Sequence, residues 1–341
     1  MAVEEPLLIW GAGAIGGTIG AALVRAGHAV LFVDNAADHV ARINQQGLTI
    51  SGPLEQYRVS AQAVTPDQLE GVYPRIILAV KTPATEAATR ALARHLAPDG
   101  YVVSAQNGLN EYVIAEIVGA SRVIGCFVNF GADYMAPGEI MYGGRGAAVL
   151  GEIDGALSSR LAELHGLLKV FEPEAIMTDN IFGYLWSKMA YGAILFAEAL
   201  TEASIADCLD HPDYRDLFIA LARETLAVAQ AQGVTPEAFN GFDPAAFMPG
   251  GDDAAAQKSL DEMVAFNRRS AKTHSGIWRD IAVRKRKTEV DALPGAVPGF
   301  AHKVGLGAPL CEALTALIHQ VEDGQRPQSW ATLDALKAAL V

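Results

Sequence analysis

The first 150 residues alternate short apolar runs with longer amphipathic ones. Leu7–Trp10, Ala29–Val33, Arg75–Val80, Tyr101–Ala105 and Arg122–Phe127 are apolar at nearly every position and rich in Val, Ile or Leu. That is the pattern of strands buried on both faces. Helical spacing fills the intervals Ala14–Ala26, Ala37–Gln46, Pro83–Leu96 and Asn110–Val118. Such alternation predicts a parallel sheet covered by helices on both sides. Residues 137–152 read as short strands with glycine turns that finish the sheet with antiparallel pairs. After Pro173 the texture changes to long helical patterns, at Asp179–Glu198, Tyr214–Gln232, Ser259–Phe266, Gly276–Leu293 and Leu310–Val321, with no convincing strand. The predicted fold class is therefore α/β. A doubly wound, Rossmann-type parallel sheet occupies residues 1–174, and an all-α domain for substrate binding and dimerisation occupies 175–341. Residues 234–257, rich in Pro, Gly and Asp, predict a mobile excursion, a candidate lid.

Residues 6–24 carry no charge and are long enough to suggest a membrane span or a signal peptide. Both readings fail on the local chemistry. Glu4 and Glu5 stand where a signal peptide needs Lys or Arg, and five glycines interrupt the run. A buried strand, a turn and a buried helix account for it better.

Composition narrows the partners. With 341 residues the chain can build about two cores. Lys and Arg number 26 against 39 Asp and Glu, a net charge of −13 that speaks against a nucleic-acid partner. The cysteines Cys126, Cys208 and Cys311 are too far apart for a zinc site and odd in number, which fits a reducing cytoplasm rather than a disulfide framework. The expectation is a cytoplasmic chain with no metal, no membrane and no nucleic acid among its partners.

Gly11-Ala12-Gly13-Ala14-Ile15-Gly16 follows the first strand and opens the first helix. In a dinucleotide site the first glycine permits the turn, the second admits the pyrophosphate and the third lets helix pack on strand. The backbone N–H groups of Gly13, Ala14, Ile15 and Gly16 then meet the phosphates at the helix N-terminus. Asp34 ends the second strand, 18 residues after Gly16, where an acid accepts the ribose hydroxyls. It would repel a 2′-phosphate, and Asn35-Ala36-Ala37-Asp38 supplies no cation. NAD is thus predicted over NADP. The alternative is that Asp34 caps the following helix.

Hydride transfer also needs an acid/base and groups that fix the substrate carbon. Val80-Lys81-Thr82 and Gln106-Asn107-Gly108 each follow a strand, at the end of the sheet where ligands bind. Leu185-Trp186-Ser187-Lys188 opens the long helix of the second domain, and apolar neighbours would desolvate Lys188 toward a useful pKa.

In this order, GAGAIGG, AVKT, QNG, WSK and TEVD at 288–291 resemble the ketopantoate reductase family over nearly the whole chain. The resemblance implies a two-domain architecture similar to that of 6-phosphogluconate dehydrogenases, usually a homodimer. It implies that Lys188 is the general acid/base and that Glu289 holds a substrate hydroxyl. Asn107 would contact nicotinamide and substrate, and Lys81 would reach the cofactor. Glu289 could instead pair with Lys285, and Asn107 could serve only the turn.

Departures from the family pattern also follow. The family has asparagines one and two turns after the catalytic lysine, where this chain has Gly192 and Phe196. Neither can hold ketopantoate's polar end by hydrogen bonds. Ser275 approximately matches a family serine, and His274 beside it is either a substrate ligand or a packing residue. The stretch from Asp280 to Glu289 is one residue longer than the family pattern, which on a regular helix would rotate Glu289 by about 100°. Arg284-Lys285-Arg286-Lys287 reads as a solvated helix face, one of whose cations, or Arg279, could meet a substrate carboxylate. The expected function is NAD-dependent interconversion of a hydroxy acid and a keto acid. The alternatives are an NADPH-dependent 2-dehydropantoate 2-reductase and a non-catalytic NAD(H)-binding sensor.

Overall fold

The computed structural model describes residues 5–269 and 273–340. The chain divides into two compact units, Met1–Ile181 and Phe182–Val341. The division falls later than the predicted 174/175 boundary because Ile176–Met177 is a strand that pairs in the sheet of the first unit.

The first unit runs β1 (Leu7–Trp10), α1 (Ala14–Arg25), β2 (Val30–Val33), α2 (Ala37–Gln46), β3 (Leu48–Ser51), β4 (Tyr57–Val59), β5 (Gln62–Val64), β6 (Tyr73–Leu78), α3 (Thr85–Leu92), β7 (Leu96–Ser104), α4 (Asn110–Val118), β8 (Val123–Val128), β9 (Gly131–Ala136), β10 (Glu139–Gly144), β11 (Ala148–Glu152), α5 (Ser159–Phe171) and β12 (Ile176–Met177). The main sheet has the order β12-β11-β8-β7-β6-β1-β2-β5. It is parallel except where β11 runs antiparallel to β8, as the 137–152 pattern predicts in part. Side chains alternate across it. Leu7 and Ile9 join a core with α1, α2 and α5, while Leu8 and Trp10 join a core with α3 and α4. The sheet is therefore wound on both faces.

A second sheet, β4-β3-β10-β9, packs on α1 and is absent from the periodicity reading. Gly17 makes that packing possible, since a Cβ there would strike the Ile140 side chain. The uncharged stretch 6–24 forms β1 and α1, and no helix among the described residues is long and apolar enough to cross a membrane.

The second unit is helical: α6 (Ile181–Glu198), α7 (Ile205–Asp210), α8 (Arg215–Ala231), α9 (Asp253–Arg269), α10 (Gly276–Ala282), α11 (Val297–Lys303), α12 (Pro309–Glu322) and α13 (Trp330–Lys337). Two expectations are corrected here. The predicted helix Gly276–Leu293 stops at Ala282. Arg284 and Arg286 both turn back to the Asp280 carboxylate at 2.8 Å, with Lys285 between them at φ 49°. The basic run is accordingly not a helix face, and Glu289 is not rotated on a continuous helix. The predicted mobile excursion is instead a docked one. Phe239, Phe242 and Phe247 are buried, with Phe242 and Phe247 stacked at 5.3 Å, and both Phe239 and Phe242 lie 5.7 Å from the Tyr191 ring of α6. The Glu237 N–H donates to the Gly183 carbonyl and ties the segment to the start of α6. All three cysteines are buried.

Candidate active site

In the first unit, β1 delivers the chain into the turn at the carboxyl end of the sheet. Gly11 adopts φ 101°, and a Cβ there would lie 2.8 Å from the Ala79 carbonyl carbon. A Cβ on Gly16 would collide with the Gly11 carbonyl oxygen. Gly13 differs: nothing lies within 4 Å of where its Cβ would be. No side chain caps α1 there, and Gly13, Ala14 and Ile15 are half-buried at the positive end of the helix dipole. A turn that needs no glycine at its middle for its own packing, yet has one, fits a pyrophosphate laid against the backbone.

Asp34 serves this turn directly. Its Oδ2 accepts the Ala12 N–H at 2.8 Å and its Oδ1 accepts the Ala36 N–H at 2.9 Å. Asp34 does not cap α2, whose N-cap is Ala36 with no side-chain cap hydrogen bond, and each carboxylate oxygen keeps a lone pair for a further donor. Tyr134 and Asp38 stand near it. Burial, then the Asp38 and Asp34 charges, raises the Tyr134 phenol above its usual range.

The next two strand ends are stitched together. Gln106 donates to the Val80 carbonyl at 2.9 Å and to the Thr85 hydroxyl at 2.7 Å. The Thr85 hydroxyl donates to Asn110 Oδ1, and Asn110 Nδ2 donates to the Asn107 carbonyl at 2.6 Å. The Thr82 hydroxyl donates to the same carbonyl at 2.7 Å. Gly108, at φ 92°, completes the turn. Asn107 is held by its backbone, and its half-buried side-chain amide takes no part in this network. Lys81 is exposed at the end of β6. Thr85 and Asn110 escape sequence reasoning as site residues, and Thr82 and Gln106 enter it only as members of the two motifs. Their signal was present, polar side chains clustered after two strands whose cores are wholly apolar.

In the second unit Lys188 lies in α6, half-buried among Trp186, Ser187, Met189 and Ala190, each fully buried. One turn on, Gly192 leaves the helix surface bare. A Cβ there would meet only Leu293 Cδ2, at 3.9 Å. That contact brings the 288–293 segment beside the Lys188 stretch of α6. The segment is anchored on both sides of Glu289. The Thr288 N–H and hydroxyl donate to Glu322 at 2.7 and 2.6 Å, Asp291 pairs with His319 at 2.8 Å, and Val290 is buried. Glu289 stands half-buried between these anchors, ahead of a 3-10 turn.

His274 and Ser275 sit elsewhere. The Ser275 hydroxyl accepts the Trp278 N–H at 3.0 Å and caps α10. The His274 ring packs on Trp278 with centroids 4.0 Å apart, and its Nε2 lies 3.4 Å from the Glu202 carbonyl oxygen. Glu202 follows α6, at the opposite end from Lys188.

Two family profiles match the chain, "Ketopantoate reductase PanE/ApbA" over residues 7–155 and "Ketopantoate reductase PanE/ApbA C terminal" over 180–322. The chain belongs to the ketopantoate reductase family. Within that family, a 2-dehydropantoate 2-reductase of Pyrococcus horikoshii is 27% identical over 93% of this chain and 97% of its own length. A PanE/ApbA family ketopantoate reductase from Ralstonia eutropha superposes with a TM-score of 0.78 at 25% identity, covering 94% of this chain and 99% of that one. A D-mandelate dehydrogenase solved with NADH and anilino(oxo)acetate superposes with a TM-score of 0.81 over the same shares, at 21% identity, a likeness of fold. Gly192 presents no side chain, and Phe196 is buried at 1% exposure.

Proposed function

We propose that the chain is an NAD-dependent oxidoreductase that interconverts a hydroxy acid and a keto acid. The observation that carries this reading is the open, uncapped turn at Gly13 beside the Asp34 carboxylate. The N–H groups of Gly13, Ala14, Ile15 and Gly16 bind the pyrophosphate, and Asp34 accepts the ribose hydroxyls. Asp34 and Asp38 together make a poor berth for a 2′-phosphate, which supports NAD over NADP. Nicotinamide, when bound, supplies or accepts the hydride. The ammonium of Lys188 donates a proton to the carbonyl oxygen as charge develops there, and takes it back in the oxidative direction. Glu289 accepts a hydrogen bond from the substrate and orients it, and Asn107 fixes the reacting partners with its amide. Lys81 assists on the cofactor side. Lys188→Ala should lower turnover at least about a hundredfold while the chain stays folded. Near-normal turnover would remove Lys188 from this role.

A second reading, an NADPH-dependent 2-dehydropantoate 2-reductase, is favoured by the names of the curated relatives. Gly192 and Phe196 weigh against it, because a polar substrate end would meet no amide there. Efficient reduction of ketopantoate with NADPH would establish it.

A further inference from the structure

His39, on α2, is fully buried and lies outside the motifs that suggest the function. Its surroundings fix its chemistry. The Gly138 N–H donates to Nδ1 at 2.8 Å, so Nδ1 carries no proton. The proton is therefore on Nε2, which donates to the Ala12 carbonyl at 2.9 Å. Ala12 stands between Gly11 and Gly13, and its own N–H is held by Asp34 at 2.8 Å. The residue at the middle of the turn is thus gripped on both sides, by a carboxylate at its N–H and by an imidazole at its carbonyl. The same ring packs edge-on against Tyr134, 5.1 Å between centroids, and the Asp38 and Asp34 charges act on the Tyr134 phenol.

A carbonyl is the one polar group in the turn that would repel an anion. Were Ala12 to rotate, its oxygen could swing toward the space in front of Gly13 that the phosphates need. A neutral Nε2–H donor prevents that at no cost in charge.

We propose that His39 is a cofactor-positioning residue, whose Nε2–H holds the Ala12 carbonyl away from the dinucleotide phosphates while Nδ1 fastens the ring to Gly138 on the second sheet. The proposal rests on the dinucleotide reading of this turn. Two isosteric variants separate its halves. In His39→Gln the side-chain amide nitrogen takes the Nε2 position and retains the donor to Ala12. In His39→Asn the amide oxygen takes the Nδ1 position, retains the acceptor for Gly138 and loses Ala12.

Calorimetric titration with NAD+ and with NADH should give His39→Gln an affinity within about threefold of the wild type and His39→Asn an affinity at least about tenfold weaker. Turnover at saturating cofactor should be unchanged in both, and both should lose thermal stability alike. Equal affinities in the two variants would overturn the proposal. So would a loss that follows thermal stability rather than the Ala12 contact. Wild-type protein labelled with 15N-histidine supplies a measurement that no folding defect can compromise. The His39 signals should be those of an Nε2-protonated, neutral ring whose Nε2 resonance moves when NADH is added. An Nδ1-protonated ring, or no movement at saturation, would overturn it. If the wild type binds neither NAD+ nor NADH, it is the dinucleotide reading itself that fails.

Discussion

Asp34 holds two backbone N–H groups with one carboxylate, that of Ala12 in the glycine turn and that of Ala36 ahead of α2, and under the proposed function it also accepts the ribose hydroxyls. Asp34→Ser should keep a short acceptor for the turn and remove the charge. The ratio of kcat/KM for NADH to that for NADPH should fall at least about tenfold, mostly through KM. An unchanged ratio would move cofactor choice to another residue. Two further acids act on stability. Burial drives the Glu198 carboxyl up to about 8, partly offset by the Ser275 hydroxyl, and drives the Glu111 carboxyl up to about 7. Both native pKa values lie above the unfolded value of 4.5, so between those values the folded chain holds protons that the unfolded chain has lost. Stability is full below pH 4.5 for these groups and declines as pH rises through 7 and 8. The urea midpoint should therefore fall between pH 5.5 and 8.5, and Glu198→Gln should remove part of that fall. A variant whose midpoint tracks the wild type across this range would contradict the assignment. Gly11, Gly13 and Asp34 stood out in the sequence because a local motif with fixed spacing marks them. His39 did not, because no local spacing marks its contact with Gly138 some 99 positions away.

Elements were legible where one periodicity holds for several turns. β1, α2 and α4 match the predicted bounds, and α6 and α12 nearly so. Breaks were not legible, because tertiary contacts make them. The Gly276–Leu293 pattern has helical spacing, yet two arginines folding back on Asp280 end the helix. Likewise β3 and β10 pair in parallel from positions about 90 residues apart, so the 137–152 pattern shows β10 as a strand but not that it joins a second sheet. The 234–257 segment misleads in the other direction. Its Pro, Gly and Asp read as mobility, while Phe239, Phe242 and Phe247 provide an apolar core. Phe242→Ala should cost about 3–5 kcal/mol if the segment is docked, and should expose it to limited proteolysis. Rapid cleavage of the wild-type segment would show instead that the aromatic cluster does not hold it.

At the scale of the molecule, the alternation of strand and helix followed by uninterrupted helix was enough to foresee a doubly wound unit and an α-helical one. It could not supply the substrate, because under the proposed function selectivity depends on the side chains one and two turns beyond Lys188. There Gly192 presents no side chain and Phe196 is buried. The proposed enzyme joins an acidic, NAD-selective turn to a lysine acid/base. Its most direct test is the steady-state oxidation of NADH and of NADPH by the purified chain, with a panel of 2- and 3-oxo acids that includes ketopantoate. The account predicts turnover of at least one oxo acid with kcat/KM for NADH at least about tenfold above that for NADPH. Preference for NADPH with ketopantoate, or no turnover with any member of the panel despite tight NADH binding, would contradict it.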